Sequence, residues 1–429
     1  MSYRSYNDNR GRGQSYGPRR GSRGGARAFP NTSLPGDREM MDGLISTPIL
    51  TLARPADVAG KAIEIKNLEY LGSYNWVNST EPIILVPGSP PIWRNRPTPY
   101  AVPRDTGMRF VDQSGYRMPS SILLPLFRAT DVVAEQNGTS GIDWKKVDFI
   151  TDRNGLRKLL RWINDKDGSA KEFRIDTQLA GKGAILFNRW EKRTREEADP
   201  SIWSYGFSFE RESTTPAKGC EQSSGHHRIV KYDFDGLQLV VRFEVDACVA
   251  QPSAAQAPTS TVNADSLSDL LSGLNVARDS QTPSASKKTD TASGTGLEVQ
   301  RAGSQVPQSS LIEMTTRSKH RVALFDWVDA FPQLFLSQTS NHYLAAHDRG
   351  RFETITKRKL GDPELKRIQD DAQASFRKLR RALQEIKDLV VLHGRRGRLS
   401  LVFREGKLQV LERVSEASCL PETIMKRFE

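Results

Sequence analysis

Apolar and polar residues alternate over residues 237–249, which predicts a β-strand with one buried face. The apolar face consists of Leu237, Leu239, Val241, Phe243, Val245, Ala247 and Val249. The opposite face carries Arg242, Glu244 and Asp246, so two acids two residues apart point in the same direction. Taken alone, this segment is explained most simply as an amphipathic strand with a solvated face.

Apolar residues spaced three and four apart predict a long helix that begins after Asp362-Pro363, an N-cap followed by proline at the first helical position. The apolar stripe consists of Leu365, Ile368, Ala372, Phe376, Leu379, Leu383 and Ile386. Gly394 would end this helix in a left-handed conformation. The following segment, LSLVFREGKLQVLERV, predicts a hairpin that turns at Glu405-Gly406. A helix and antiparallel strands after several earlier strands indicate an α/β fold with mixed β-sheets flanked by helices.

Two segments lack any such pattern. Residues 1–45 are rich in Gly, Arg, Ser and Tyr, and residues 249–308 contain no aromatic residue and many Ser, Thr, Ala and Pro. Because neither can bury enough apolar surface to offset its ordering entropy, we predict a disordered N-terminal arm and a disordered insertion. Residues 46–248 and 309–429 would then be the two parts of a single domain.

Positive charge exceeds negative charge, with a formal net charge of +12. Half of it lies in residues 1–29, which hold seven arginines and one acid, Asp8. Such a balance favours nucleic acid over a membrane surface as partner. The arginines of the arm, interleaved with Tyr3, Tyr6 and Tyr16, suit phosphate groups and unpaired bases, although a merely solubilising tail is the alternative.

The cysteines and the apolar runs indicate the compartment. Cys220, Cys248 and Cys419 lie far apart and are odd in number, so they predict neither a disulfide framework nor a zinc site. No apolar run has the ~20 residues of a membrane helix, and the N-terminus lacks the apolar region of a signal peptide. We therefore expect a protein of the nucleus, or otherwise the cytoplasm, with no membrane partner.

Further acids lie in apolar segments. SYGFSFE ends in Glu210 and LIEMT contains Glu313, and both segments are short enough to be strands. A carboxylate in an apolar strand is costly unless it is paired or binds a metal. Together with Glu244 and Asp246, these residues predict a shared cluster for hard divalent cations, and two such ions can clamp the oxygens of a phosphoryl displacement.

Five segments occur in an order that resembles a known family. They are VDFITDRNGL with Arg153, GFSFE ending in Glu210, EVD with Glu244 and Asp246, EMT with Glu313 and Thr315, and WVDAFPQLFL with Gln333. The DXO family of decapping exoribonucleases carries an arginine motif, then G-Φ-x-Φ-E, E-Φ-D and E-Φ-K, where Φ is hydrophobic, and then a helix with a glutamine. The resemblance runs from about Leu52 to Leu411, apart from the insertion.

This resemblance implies a metal-dependent hydrolase that acts on RNA 5′ ends in RNA quality control, by decapping or pyrophosphate removal, by 5′→3′ degradation, or by both. It implies two Mg²⁺ or Mn²⁺ ions, with a 5′→3′ exoribonuclease as a further partner. The implied metal ligands are Glu210, Glu244, Asp246 and Glu313; the implied catalytic residues are Glu244, Asp246, Glu313 and Thr315; and Arg153 and Gln333 would contact the 5′ nucleotide.

One position departs from the family, because Thr315 replaces the motif lysine. The lysine is expected to orient the attacking water and to offset charge in the transition state. Thr315 can hydrogen-bond a water but carries no charge, and Arg317, on the same strand face, is a candidate to supply the charge instead. Two alternatives follow: a catalytically lapsed relative that binds RNA ends or supports a nuclease partner, and a non-enzymatic RNA-binding scaffold that depends on the arm.

Other polar and aromatic residues have simpler interpretations. His226 and His227 fall in a Ser/Gly-rich stretch that predicts an exposed loop, where a histidine pair without a third ligand rarely binds a metal. Trp76 and Trp93 are predicted to be packing residues.

Overall fold

The computed structural model describes residues 34, 36–250, 290–291, 295–394 and 398–429. Most of the predicted arm (residues 1–45) and of the predicted insertion (residues 249–308) lies outside these ranges. The predictions that these segments are disordered therefore stay predictions.

The strands of the described residues follow in chain order. Those before residue 220 are β1 (Leu50–Leu52), β2 (Ile65–Val77), β3 (Ile83–Gly88), β4 (Ile92–Trp93), β5 (Tyr100–Ala101), β6 (Met108–Phe110), β7 (Phe149–Asp152), β8 (Phe173–Ala180), β9 (Ala184–Trp190), β10 (Arg195–Glu197) and β11 (Thr214–Thr215). Those after it are β12 (Ser223–Phe234), β13 (Leu237–Val245), β14 (Ala247–Cys248), β15 (Asp290–Thr291), β16 (Glu298–Gly303), β17 (Leu311–Ser318), β18 (Asn341–Asp348), β19 (Arg351–Lys359), β20 (Leu399–Arg404) and β21 (Lys407–Glu412).

The α-helices of the same ranges lie between these strands and at the C-terminal end. They are α1 (Gln113–Arg117), α2 (Leu124–Gln136), α3 (Arg153–Asn164), α4 (Gly206–Ser213), α5 (Trp327–Ser337), α6 (Pro363–Asp371), α7 (Gln373–Leu392) and α8 (Glu422–Met425).

The described strands form two large mixed sheets and a small one. The largest has twelve strands in the order β1-β21-β20-β8-β9-β7-β13-β12-β2-β3-β16-β15, the second has seven in the order β11-β4-β14-β17-β18-β19-β5, and β10 pairs with β6 alone. Strand β13 runs parallel to β7 and antiparallel to β12, while β17 runs parallel to β18. This architecture confirms the predicted mixed α/β fold.

Helices cover both faces of the twelve-stranded sheet. One face packs against α3, α5, α6 and α7 through side chains that include Leu159, Phe335 and Phe376, and the other packs against α2 through Phe127 and its neighbours. Each such side chain contributes about 1.5–3 kcal/mol when fully buried. Because both faces are covered, Val240 and Arg242 on the second face of β13 are buried, and the prediction of a solvated face is wrong there.

The chain passes from one large sheet to the other at Asp246. Strand β13 ends at Val245 in the twelve-stranded sheet, and β14 begins at Ala247 in the seven-stranded sheet, where it pairs with β4 and β17. The predicted strand over residues 237–249 is therefore two strands with Asp246 between them. This crossover brings the end of β13 next to β17.

The C-terminal elements match the sequence pattern closely. The predicted long helix is two helices, α6 and α7, separated by Ala372, and the apolar stripe continues across the break. Gly394 has a φ of 65°, as a left-handed helix end requires. The hairpin of β20 and β21 turns at Glu405 and Gly406, with φ of 51° and 74°, which confirms that prediction.

Two predicted elements differ from the structure. Strand β16 lies within residues 249–308, where Leu297 and Val299 are buried and the strand pairs with β3, so the predicted insertion extends too far toward the C-terminus. The segment ending in Glu210 forms helix α4 and not a strand. Residues two apart point to different sides of a helix, so Phe209 is buried while Phe207 is exposed. No helix within the described ranges is long and apolar enough to cross a membrane.

Candidate active site

Four acids converge between the two large sheets. Glu244 lies near the end of β13, Asp246 at the crossover, Glu313 on β17, and Glu210 on α4. The backbone N–H of Met314 donates to Asp246 Oδ2 at 2.7 Å, which fixes Asp246 beside Glu313. The charges of the other three acids all raise the pKa of Glu210, so the structure brings the four predicted ligands into one cluster.

The cluster holds more negative charge than its surroundings compensate. Loss of hydration is the first cause that raises the pKa of Glu210 well above its usual range, followed by the charge of Asp246. The pKa of Asp246 is raised in the same way, first by loss of hydration and then by Glu313. Glu244 is exposed, so the cluster opens to solvent, and loss of hydration raises the pKa of Glu244 less than those of Glu210 and Asp246.

Arg153 contacts the cluster directly. It is the first residue of α3, immediately after β7, and its Nη1 donates to Glu313 Oε2 at 2.9 Å. The same nitrogen reaches Ser337 Oγ at 3.3 Å, and the guanidinium lies over the Phe243 ring, 5.7 Å from its centroid. Arg153 is thus the cation that contacts Glu313 directly.

Gln333 reaches the same carboxylate from α5. Its amide orientation is assigned from the surrounding hydrogen bonds: the nitrogen donates to Glu313 Oε1 at 2.9 Å, and the oxygen accepts from Arg157 Nη2 at 3.2 Å. Burial lowers the pKa of Arg157 to about 10, although Asp329 opposes this shift. Both residues expected to contact substrate therefore hold Glu313.

Thr315 lies one strand pair beyond Glu313 on the same face of β17. Its Oγ1 is 3.2 Å from His342 Nε2, and burial lowers the pKa of His342 to about 4, so this histidine is neutral near pH 7. Arg317 donates to the Thr316 carbonyl at 2.9 Å and lies 5.3 Å from the Phe325 ring centroid. In these contacts Arg317 lies against the Phe325 ring and does not reach back toward Glu313.

The histidine pair does not lie in an exposed loop, as its sequence predicted. His226 and His227 lie on strand β12, and His227 is paired in register with Glu244. His226 Nδ1 is 2.6 Å from Asn75 Oδ1, and the His227 ring stacks on Tyr74 with 5.0 Å between centroids. Ser and Gly residues in this stretch hid the strand alternation, so the predicted exposed loop is wrong.

Gln113 and Arg189 are site residues that the sequence did not indicate. A Cβ atom at Gly225 would lie 2.3 Å from Gln113 Nε2 and 3.0 Å from Glu244 Oε1, so a side chain there would have to displace the ends of both neighbours. The positive charge of Arg189 lowers the pKa of Glu244 and opposes the effect of lost hydration. Gln113 and Arg189 lie in segments without a motif. The only sequence signal was Gly225, because a glycine within a strand often marks a close approach of neighbouring groups.

The donor types of the cluster fit a hard divalent cation, since carboxylate oxygens suit Mg²⁺ and Mn²⁺. Among the residues that the structure describes, however, no three Asp, Glu, His or Cys side chains are grouped so that they could hold a metal ion. Both oxygens of Glu313 are engaged by Arg153 and Gln333, and one oxygen of Asp246 accepts from a backbone N–H. A cation would therefore compete with Arg153 and Gln333 for Glu313.

The family model described as "Domain of unknown function (DUF8563)" matches residues 54–428. No sequence among curated proteins matches the chain.

Solved structures of Rai1 have the same fold. S. pombe Rai1 in complex with 3′-FADP superposes with a TM-score of 0.53 at 13% identity, over 84% of this chain and 97% of that one. Candida albicans Rai1 in complex with pU5-Mn²⁺ gives 0.51 at 12% identity, over 88% and 99%. Scheffersomyces stipitis Rai1 in complex with (3′-NADP)⁺ and a calcium ion gives 0.51 at 12% identity, over 88% and 95%. At such identities the likeness establishes the fold, and it agrees with the α/β fold expected from the motifs.

Proposed function

This chain belongs to the DUF8563 family, and from that premise and its Rai1-like fold we propose that it is a metal-dependent hydrolase acting on RNA 5′ ends. The observation that carries the proposal is the cluster of Glu210, Glu244, Asp246 and Glu313, four acids with more negative charge than their surroundings balance. Functional sites are where such uncompensated, perturbed groups concentrate. A purely structural role would leave this charge unexplained.

The four acids would hold the cation, Mg²⁺ or Mn²⁺, once it displaces Arg153 and Gln333 from Glu313 and draws together carboxylates that, among the described residues, are not grouped for a metal ion. When bound, such an ion supplies positive charge that offsets charge developing on the phosphoryl group. Arg153 would exchange its ion pair with Glu313 for a bidentate contact to the 5′ phosphate, since a guanidinium fork matches phosphate oxygens. Gln333 would donate its amide to the 5′ nucleotide, and the Thr315 hydroxyl would orient the attacking water.

The proposed ligand class has support from the Rai1 complexes. The Candida albicans protein is in complex with pU5-Mn²⁺, a 5′-phosphorylated RNA with a divalent cation. We propose the same combination for this chain, with the arm adding sequence-independent contacts to phosphates. The same proposal includes capped RNA as a substrate, a role beside a 5′→3′ exoribonuclease and a location in the nucleus.

A second candidate is a protein that binds RNA 5′ ends without hydrolysing them. Thr315 in place of the motif lysine favours it, because the side chain facing Thr315 is His342, whose lowered pKa leaves it uncharged near pH 7. The contacts of Glu313 with Arg153 and Gln333 favour it too, since they occupy a proposed metal ligand.

The test uses the full chain with 5′-phosphorylated and capped RNA, in Mn²⁺, in Mg²⁺ and in EDTA. Wild type should release product only with a divalent cation. Glu210→Gln should lower turnover by about 10²–10³-fold, the several kcal/mol that a metal site contributes to transition-state stabilisation. The matched control is Glu212→Gln on the same helix, since the Glu212 side chain is 39% exposed and pairs with Arg211 on the surface.

Three outcomes separate the candidates. Metal-dependent turnover lost in Glu210→Gln and kept in Glu212→Gln supports the hydrolase. RNA bound without turnover under any cation supports the second candidate. A protein that neither binds RNA ends nor turns them over would contradict both candidates.

A further inference from the structure

A tryptophan stands on the surface in the segment that leads into α4, the helix that carries Glu210. Trp203 is 58% exposed, in a segment that begins at Asp199 and leads into helix α4. The guanidinium of Arg104 lies 4.6 Å from the centroid of its ring, and that of Arg349 lies 5.9 Å away. An exposed indole beside two guanidinium groups combines an apolar ring with positive charge at the surface.

Hydrogen bonds hold this tryptophan segment in place. Arg104 Nη2 donates to the carbonyls of Pro200 and Ile202 at 2.7 and 3.3 Å. Asp105 donates its backbone N–H to Ser204 O at 2.9 Å, and its Oδ1 accepts from Ser208 N at 2.8 Å. The ring is therefore positioned before any ligand arrives, which lowers the entropy cost of stacking.

The exposed apolar surface continues from Trp203 toward the cluster. Phe207, the second residue of α4, is 36% exposed and lies under the Arg109 guanidinium at 5.3 Å. Phe207 precedes Glu210 by three residues, so the two occupy neighbouring positions along one side of the helix. We call Arg104, Met108, Ile202, Trp203, Phe207 and Arg349 the Trp203 face.

The charge of the Trp203 face is positive. Arg109 pairs with Glu196 at 2.7 Å, which balances its charge. Arg104 donates to carbonyl oxygens, and neither it nor Arg349 forms an ion pair with another described residue. Two guanidinium charges beside an indole and a phenyl ring therefore remain for an anionic, aromatic ligand.

We propose that the Trp203 face binds the body of single-stranded RNA downstream of its 5′ end, with an unpaired base stacked on Trp203 and phosphates near Arg104 and Arg349. This inference rests on the proposed function, because it assumes that the 5′ end lies at the carboxylate cluster. Bases stack on aromatic rings regardless of sequence, and arginine binds the adjoining phosphates. Trp, Phe, Met and Arg are equally typical of protein interfaces, so the choice of RNA rests on the two arginines, whose charge RNA phosphates can take up beside a ring on which a base can stack.

The experiment measures binding of 5′-phosphorylated RNA to the full chain by fluorescence anisotropy, in Ca²⁺ and at 0.15 M salt. Salt at this concentration weakens the phosphate contacts of the arm and so limits its share of the binding. The probes are a trinucleotide, a 12-mer, and a 12-mer that is abasic beyond its third nucleotide. Trp203→Ala should weaken the 12-mer by about 5- to 100-fold, the range of one lost base stack, and Trp203→Phe should recover most of it. Leu392→Ala is the matched control, since Leu392 is equally a surface apolar residue, at the end of α7 and 82% exposed.

The abasic 12-mer and the trinucleotide decide the assignment. Wild type should bind the abasic 12-mer more weakly than the normal one, and Trp203→Ala should remove most of that difference. Equal losses for normal and abasic RNA would overturn base stacking. Unchanged affinity for the 12-mer in Trp203→Ala would overturn the inference and leave the face to a protein partner. If wild type shows no turnover but Trp203→Ala still weakens binding of the 12-mer, the hydrolase proposal fails and the RNA-binding role of the Trp203 face stands.

Discussion

The end of strand β13 and the crossover residue after it carry two kinds of charge within five residues, from Arg242 to Asp246. Arg242 donates to both oxygens of Asp152, at 2.6 and 2.9 Å, and to Tyr74 Oη at 3.1 Å. At the other end, Glu244 and Asp246 face Glu210 and Glu313. The first region is a fully paired charge inside the core, and the second is a group of like charges at a solvent opening.

This difference separates structural charge from functional charge. A buried ion pair with satisfied hydrogen bonds perturbs the pKa values of its members but needs no ligand. Like charges held together raise one another's pKa and are relieved only by protons or by a cation. Burial and a shifted pKa are common to both regions, so the absence of compensation, and not the shift itself, identifies the candidate site.

Breaking the paired region should have the largest effect. Arg242→Met leaves Asp152 without its partner in the core, and removal of one member of a buried pair costs about 3–5 kcal/mol. The free energy of unfolding, measured with urea, should fall by that amount. Glu244→Gln, two residues along the same strand, removes a repelled charge and should leave the unfolding free energy unchanged or raise it. An equal loss of stability in both variants would contradict the distinction between the regions.

A second test uses pH, because a paired acid and the clustered acids respond to it in opposite directions, and Glu191, which pairs with Lys158 and Arg189, is such a paired acid. Burial alone would raise the pKa of Glu191, but Lys158 and Arg189 overcome this effect and lower it to about 2 from a usual 4.5. A lowered folded pKa contributes stability above pH 4.5, and this contribution is lost as the pH falls toward 2. The raised pKa values of Glu210 and Asp246 work the other way, since the stability gained by holding their protons disappears as the pH rises.

The measurement compares wild type with Glu191→Gln by chemical denaturation at several pH values. Wild type should be more stable at pH 7 by roughly 3 kcal/mol, because the pKa falls from 4.5 to about 2 and each pKa unit corresponds to about 1.36 kcal/mol. The gap should narrow at pH 3. Glu210→Gln should show the opposite trend, with its largest gain over wild type at neutral pH. A gap that is independent of pH in Glu191→Gln would mean that packing, and not charge, makes the residue stabilising.

Regular periodicity made part of this fold predictable. The stripe from Leu365 to Ile386 and the turn at Glu405-Gly406 depend on neighbours in sequence, so local pattern was enough. The end of β13 at Val245 was not predictable, because the alternation continues through Ala247 while the chain changes sheets. A period of two cannot tell which strand will be the neighbour.

The candidate site was predictable in its acids and not in its surroundings. Glu210, Glu244, Asp246 and Glu313 stood out as acids in apolar segments, but helix α4 replaced the expected strand because alternation over five residues fits either element. The contacts of Arg153 and Gln333 with Glu313 join residues more than 15 positions apart in the chain, and no spacing rule encodes them. The position of His227 opposite Glu244 depends on strand register alone.

The last test adds charge to the uncompensated region. Thr315 projects from the same face of β17 as Glu313, so a lysine there would bring an ammonium group toward the cluster. One charge-stabilising group in a site is worth about 10²–10³ in rate, and an added lysine lacking its native surroundings should recover at most ~10². Thr315→Lys should therefore raise turnover with Mn²⁺ while the affinity for 5′-phosphorylated RNA changes little.

The control for this last test is Glu244→Gln in the Thr315→Lys background, which should remove whatever turnover the lysine adds. Thr315→Met, of similar length and without charge, separates an effect of charge from one of size. Fast wild-type turnover that the lysine leaves unchanged would mean that a cation already serves the cluster, and Arg153 is the first to examine because it contacts Glu313 at 2.9 Å. RNA binding without turnover in both forms would favour the RNA-end binder over the hydrolase, since the missing charge would then not be what separates this site from catalysis.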